Sequence, residues 1–116
     1  MPNTNRPTIS THVLDLTRGA PAAGVTVTLW RLDDREPLGS QQTDSDGRIG
    51  DIASGQALDR GFYRMAFEVA AYYRARGDQE AFLHRMTLDF EITDPSRRYH
   101  IPLLMSPFSC ASYRGS

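Results

Sequence analysis

The chain has 116 residues, 23% of them charged, and a formal net charge of −1. A domain of this size buries about 65% of the surface its unfolded chain exposes, enough for one core and not for two. The near-neutral balance lacks the electrostatic footprint of a nucleic-acid or anionic-membrane binder, and the single cysteine, Cys110, excludes an intramolecular disulfide framework and any Cys-x-x-Cys site. A single domain spanning 1–116 is therefore expected.

All 13 basic residues are arginine, which removes a Schiff-base lysine as a route to covalent catalysis. Cys110 reads as a small buried apolar residue. The amino terminus has no apolar h-region, and no later stretch approaches the roughly 20 apolar residues of a membrane span. The closing Arg-Gly-Ser differs from the Ser-Lys-Leu peroxisomal address. These features predict a soluble cytoplasmic protein, with no nucleic acid and no membrane among its partners.

The dominant hydrophobic period along the chain is two. Ile9 to Asp15 is extended, with Ile9 and Val13 on the expected core face and Ser10, His12 and Leu14 opposite. Val25 to Trp30 concentrates β-branched and aromatic residues, with Val25, Val27 and Leu29 sharing a face. Tyr63, Met65, Phe67 and Val69 repeat the alternation. Ala70 to Arg76 favours a short helix that Gly77 stops. Met86, Leu88, Phe90 and Ile92 alternate with charged residues and threonines in the clearest half-buried strand, and Arg98 to Leu104 gives a last extended segment. Turn chemistry at Arg18-Gly19 with Pro21, Asp46-Gly47, Gly61, Gly77-Asp78 and Asp94-Pro95 separates these runs. A mostly β sandwich of about eight strands with one short helix follows.

Parity turns His12 away from the core. On the later strand His100 shares its side with Pro102 and Leu104, opposite Tyr99, Ile101 and Leu103, and parity leaves open which side is core. If both strands contribute to one outer face, its mixture of histidine, leucine and proline suits a subunit interface with a polar site embedded in it.

Four blocks then occur in order: Ser10-Thr11-His12-Val13-Leu14-Asp15, Asp46-Gly47-Arg48, Tyr99-His100-Ile101-Pro102-Leu103-Leu104, and Tyr113-Arg114-Gly115-Ser116. Together they resemble the 5-hydroxyisourate hydrolases of the transthyretin family, with similarity across nearly the whole chain. The sequence departs from the family's usual pattern at Phe82-Leu83-His84, where a proline is common, and at Ala111-Ser112, where Ser-Thr is frequent.

The resemblance implies a transthyretin-like β-sandwich of two four-stranded antiparallel sheets. It also implies a homotetramer with active sites at the subunit interface, and hydrolysis of 5-hydroxyisourate to 2-oxo-4-hydroxy-4-carboxy-5-ureidoimidazoline in urate degradation. His12, Arg48, His100 and Ser116 map onto the family's catalytic set, and His12, Arg48, Tyr113 and Arg114 onto substrate binding. No cofactor or metal is implied.

These residue types fit the chemistry. A neutral imidazole can take a proton from water and return it to the leaving nitrogen, which makes His12 and His100 candidates for acid–base work. Arg48 offers a permanent planar fork of donors for a polarised carbonyl or anionic ring. Ser116 could act through its hydroxyl or its α-carboxylate. A serine nucleophile lacks support, because Gly-x-Ser-x-Gly is absent.

Each residue taken alone has a plainer role: an interface histidine, a solvated turn arginine, a frayed tail. His84 would complete a three-histidine zinc set with His12 and His100, without supporting spacing. Asp44-Ser45-Asp46-Gly47 lacks the remaining ligands of a calcium loop and reads as an ordinary turn. The rival function is a transthyretin-type carrier of small ligands, in which the His, Arg and Tyr-Arg-Gly-Ser set would be replaced.

Overall fold

The computed structural model describes residues 8–77 and 80–115. In chain order the strands are β1 (Ile9–Asp15), β2 (Ala20–Pro21), β3 (Thr26–Arg31), β4 (Gly39–Gln42), β5 (Arg48–Ile49) and β6 (Gly61–Phe67), followed by helix α1 (Val69–Arg76). After the helix come β7 (Met86–Ile92), β8 (Tyr99–His100), β9 (Leu103–Met105) and β10 (Cys110–Ser112).

One sheet has the order β4-β3-β6-β7 and is antiparallel throughout. The other holds six short segments in four columns: β10, then β8 with β9, then β1, then β5 with β2. Two layers of four columns agree with the expected sandwich. Within the second sheet, β1 runs parallel to β8 and β9, whereas an antiparallel sheet was expected throughout. Most of the chain separates those strands, so no hairpin forces them to run in opposite directions.

The break between β8 and β9 falls at Ile101-Pro102, where proline supplies no N–H to the ladder. Both carbonyls of the break are still satisfied. The Thr11 hydroxyl donates to the Ile101 carbonyl at 2.7 Å, and the Ser112 hydroxyl donates to the Pro102 carbonyl at 2.7 Å. Side-chain hydroxyls thus stand in where the ladder fails.

Between the sheets, Ile9 and Val13 of β1, Val27 and Leu29 of β3, Tyr63, Met65 and Phe67 of β6, and Leu103 and Met105 of β9 are buried. Burying each large apolar side chain is worth about 1.5–3 kcal/mol, so the alternation that runs through these strands holds the layers together. The period-two run beginning at Tyr63 stops at Phe67, and Val69 opens α1 where strand was expected. Val69 is buried either way, so its position in the hydrophobic pattern could not reveal the change. The helix ends at Gly77 as predicted.

In β1 the odd-numbered positions are buried and Ser10, His12 and Leu14 lie on the opposite, partly exposed face. Tyr99, Ile101 and Leu103 are core, which fixes His100 on the outer side. No helix among the described residues is long and apolar enough to cross a membrane.

Candidate active site

The site is assembled by register. In the antiparallel pair β1/β5, His12 stands opposite Arg48. In the parallel pair β1/β8, Ser10 stands opposite His100. Directly opposed residues have Cα atoms about 4.5–5.5 Å apart, so three adjacent columns bring two imidazoles, a hydroxyl and a guanidinium onto one outer face.

A loop made of Asp44 to Gly47 puts Arg48 there. The Asp44 carboxylate accepts 2.9 Å hydrogen bonds from the backbone N–H groups of both Asp46 and Arg48. Gly47 sits at φ +76°, and a Cβ on it would lie 2.5 Å from the Val13 carbonyl oxygen. Only glycine allows this close, left-handed passage. The Gly47 carbonyl then accepts from the Val13 N–H at 2.7 Å, seating β5 against β1. The loop is an ordinary Asx-type turn, as its sequence suggested.

Hydrogen bonding from the Arg48 N–H holds the Asp44 carboxyl below its usual range, against the opposing effect of desolvation, with further lowering by the Asp46 N–H and the charges of Arg48 and His12. Across the face, burial pushes the His100 imidazole below its ordinary value, and the positive charges of Arg48 and His12 push it the same way. His100 is therefore neutral near pH 7, the state an acceptor of protons requires.

A cavity of about 250 Å³ opens here, lined by Thr8, Ser10, Arg48, Arg98 and His100 among others. The carboxy-terminal segment closes against it. Gly115 bridges to His100, with its N–H donating to the His100 carbonyl at 2.7 Å. Tyr113 and Arg114 point elsewhere within a single chain, lining a groove of about 440 Å³ with Met86, Leu88 and Phe90 of β7. The Arg114 guanidinium lies 5.5 Å from the centre of the Tyr99 ring. The structure thus brings His12, Arg48 and His100 onto one outer face, with Arg48 and His100 but not His12 lining the cavity, and leaves Tyr113 and Arg114 on a neighbouring surface. Ser116 lies outside the described residues.

Two residues of the site escaped the reading of the sequence, Ser10 and Arg98. Their signal was present, since Ser10 shares parity with His12 and Arg98 with His100. Among the described residues no three His, Cys, Asp or Glu side chains are grouped to hold a metal ion.

A two-sheet sandwich bearing paired imidazoles and a guanidinium on the outer face of one sheet defines a transthyretin-type protein with a polar site. The chain matches the HIUase/Transthyretin family over residues 9–115, and it belongs to that family. It is 43% identical to a 5-hydroxyisourate hydrolase of Deinococcus radiodurans, over 95% of this chain and 97% of that protein. It is 40% identical to a 5-hydroxyisourate hydrolase of Ralstonia nicotianae, over 93% of this chain and 97% of that protein. The solved structure of Klebsiella pneumoniae 5-hydroxyisourate hydrolase superposes with a TM-score of 0.85 at 36% identity, covering 95% of this chain and 99% of that one.

Proposed function

We propose that this protein is an enzyme that hydrolyses 5-hydroxyisourate to 2-oxo-4-hydroxy-4-carboxy-5-ureidoimidazoline in urate degradation, with 1–116 acting as a single domain. The observation that carries the reading is the register that sets His12 opposite Arg48 and Ser10 opposite His100 on one outer face. The names and near-complete coverage of the relatives support it. A carrier is not favoured, because the ionisable set it would have no use for is present and gathered.

In this mechanism a neutral imidazole, at His100 or His12, takes a proton from water as the water oxygen bonds to the ring amide carbonyl carbon. Arg48 donates to the oxygen that gains negative charge, a contribution typically worth about 2.7–4 kcal/mol. The carbon–nitrogen bond then breaks, the imidazolium returns its proton to the leaving nitrogen, and the product carries a new carboxylate. Ser116 would help orient the water or a histidine, and Tyr113 and Arg114 would contact substrate.

For Tyr113 and Arg114 to do so, the site must be shared between subunits, and we read the protein as a cytoplasmic homotetramer with its sites at the interface. Apolar side chains at one end of the site-bearing sheet support association, with Leu16 and Phe108 respectively 49% and 65% exposed. So does the apolar groove beside the free edges β7 and β10.

The test is the ultraviolet decay of freshly generated 5-hydroxyisourate, with intact protein and with a truncation lacking Tyr113 to Ser116. Acceleration by the intact protein alone is expected. No acceleration by the folded intact protein would overturn the enzyme reading and bring the carrier forward.

A further inference from the structure

The Ser10 hydroxyl has no part in the mechanism above, yet its oxygen lies 2.8 Å from Nδ1 of His100. The strands carrying the two residues are directly paired, and the backbone is tied on both sides of the contact. Tyr99 N–H donates to the Thr8 carbonyl at 2.8 Å, and Ile101 N–H to the Ser10 carbonyl at 2.9 Å. The buried Thr11 hydroxyl grips the Ile101 carbonyl as well. The ladder therefore fixes this contact, where two freely rotating side chains would not.

The rest of the ring is also confined. The Gly115 backbone passes so close that a Cβ there would lie 2.7 Å from Cδ2 of His100. With Nδ1 engaged by Ser10, Nε2 is the nitrogen left for water or substrate. Which nitrogen carries the proton is set by the partner of the other one. The groups facing the ring are Arg48 from β5, His12 from β1 and Arg98 at the approach to β8. Guanidinium groups only donate, so a cavity lined by Arg48 and Arg98 favours a bare Nε2 lone pair over an Nε2–H.

Resting on the hydrolase reading, we propose that Ser10 is a positioning residue. It accepts a hydrogen bond from Nδ1–H of His100 and so holds the ring in the tautomer whose bare Nε2 receives the proton of the attacking water. When the ring becomes an imidazolium during turnover, the same hydroxyl remains an acceptor for Nδ1–H.

The experiment combines nitrogen-15 NMR of histidine-labelled protein with kinetics of the wild type, Ser10→Ala and Ser10→Thr. In the wild type, His100 should show a protonated Nδ1 and a bare Nε2. Ser10→Ala should mix the tautomers and lower the His100 pKa, because the charged ring loses an acceptor. It should also cut kcat about 10-fold or more with KM nearly unchanged, a part of what a positioned base contributes. Ser10→Thr should restore both the tautomer and the rate.

A wild-type His100 protonated on Nε2, or an active parent with an equally active Ser10→Ala, would overturn the proposal. A parent inactive on 5-hydroxyisourate would instead sink the hydrolase reading. The tautomer of the wild-type ring would then decide the Ser10 contact by itself.

Discussion

Tyr73, on helix α1, donates a 2.8 Å hydrogen bond to the buried carboxylate of Asp15 at the end of β1, three residues from His12. Tyr72 donates to the same carboxylate at 3.0 Å, and the Thr17 hydroxyl and backbone N–H add two more donors. The Arg18 guanidinium lies 3.4 Å away. An isolated buried carboxylate would be prohibitively costly, but one so fully satisfied becomes a clamp between the helix and the sheet that carries the site.

Removing the clamp should therefore cost stability. Asp15→Ala takes the carboxylate from two buried phenol donors, Tyr72 and Tyr73, and should destabilise by about 2–4 kcal/mol. Tyr73→Phe removes one donor and should cost about 1–2 kcal/mol. Urea unfolding followed by circular dichroism reads both.

The same group sets an acid limit. Burial raises the Asp15 pKa, but hydrogen bonds from Thr17, Tyr73 and Tyr72 outweigh it and leave the carboxyl below its ordinary value. A carboxylate depressed in the folded state stabilises above its unfolded pKa of about 3.9, and that stability is lost as pH falls through the folded value. Unfolding free energy should decline below about pH 4, and Asp15→Asn should flatten that part of the profile.

His12→Ala, Arg48→Ala and His100→Ala should each reduce turnover by at least about 10². Thermal melting should change little, because all three side chains lie on the outer face and none belongs to the core. A large loss of melting temperature with the lost activity would show that they hold the fold instead.

Burial and then the Arg48 charge depress His100, so its proton-accepting form should persist below pH 6.5. The acid limb of kcat/KM should lie below that value. Arg48→Ala removes a positive neighbour and should move the His100 titration to higher pH, as followed by NMR of the ring protons.

Gly115→Ala tests the seating of the carboxy-terminal segment. The added methyl would meet His100 Cδ2 at 2.7 Å and the His100 carbonyl oxygen at 3.1 Å, so the segment must shift. Turnover should drop about 10-fold or more, since small misplacements in a site are costly. The sandwich should stay folded by circular dichroism.

Much of this protein was legible in its sequence. Alternation in β1, β3, β6 and β7 follows from the pleat, which sends successive side chains to opposite faces, so core positions could be read directly. The outward face of His12 came from the same parity, and the ordered motif blocks pointed to the family before any contact was known.

What the sequence could not decide lies in pairings between distant segments. Parity alone did not say which side of the His100 strand was core, because Ile101, Pro102, Leu103 and Leu104 are all apolar. Packing decided it by burying Tyr99 and Leu103. The parallel run of β1 beside β8 and β9 was likewise invisible, and with it the contact between Ser10 and His100, 90 positions apart. Local rules fix which face a side chain takes, but register across a sheet is set by the joint burial of both layers, and that exists only in the folded molecule.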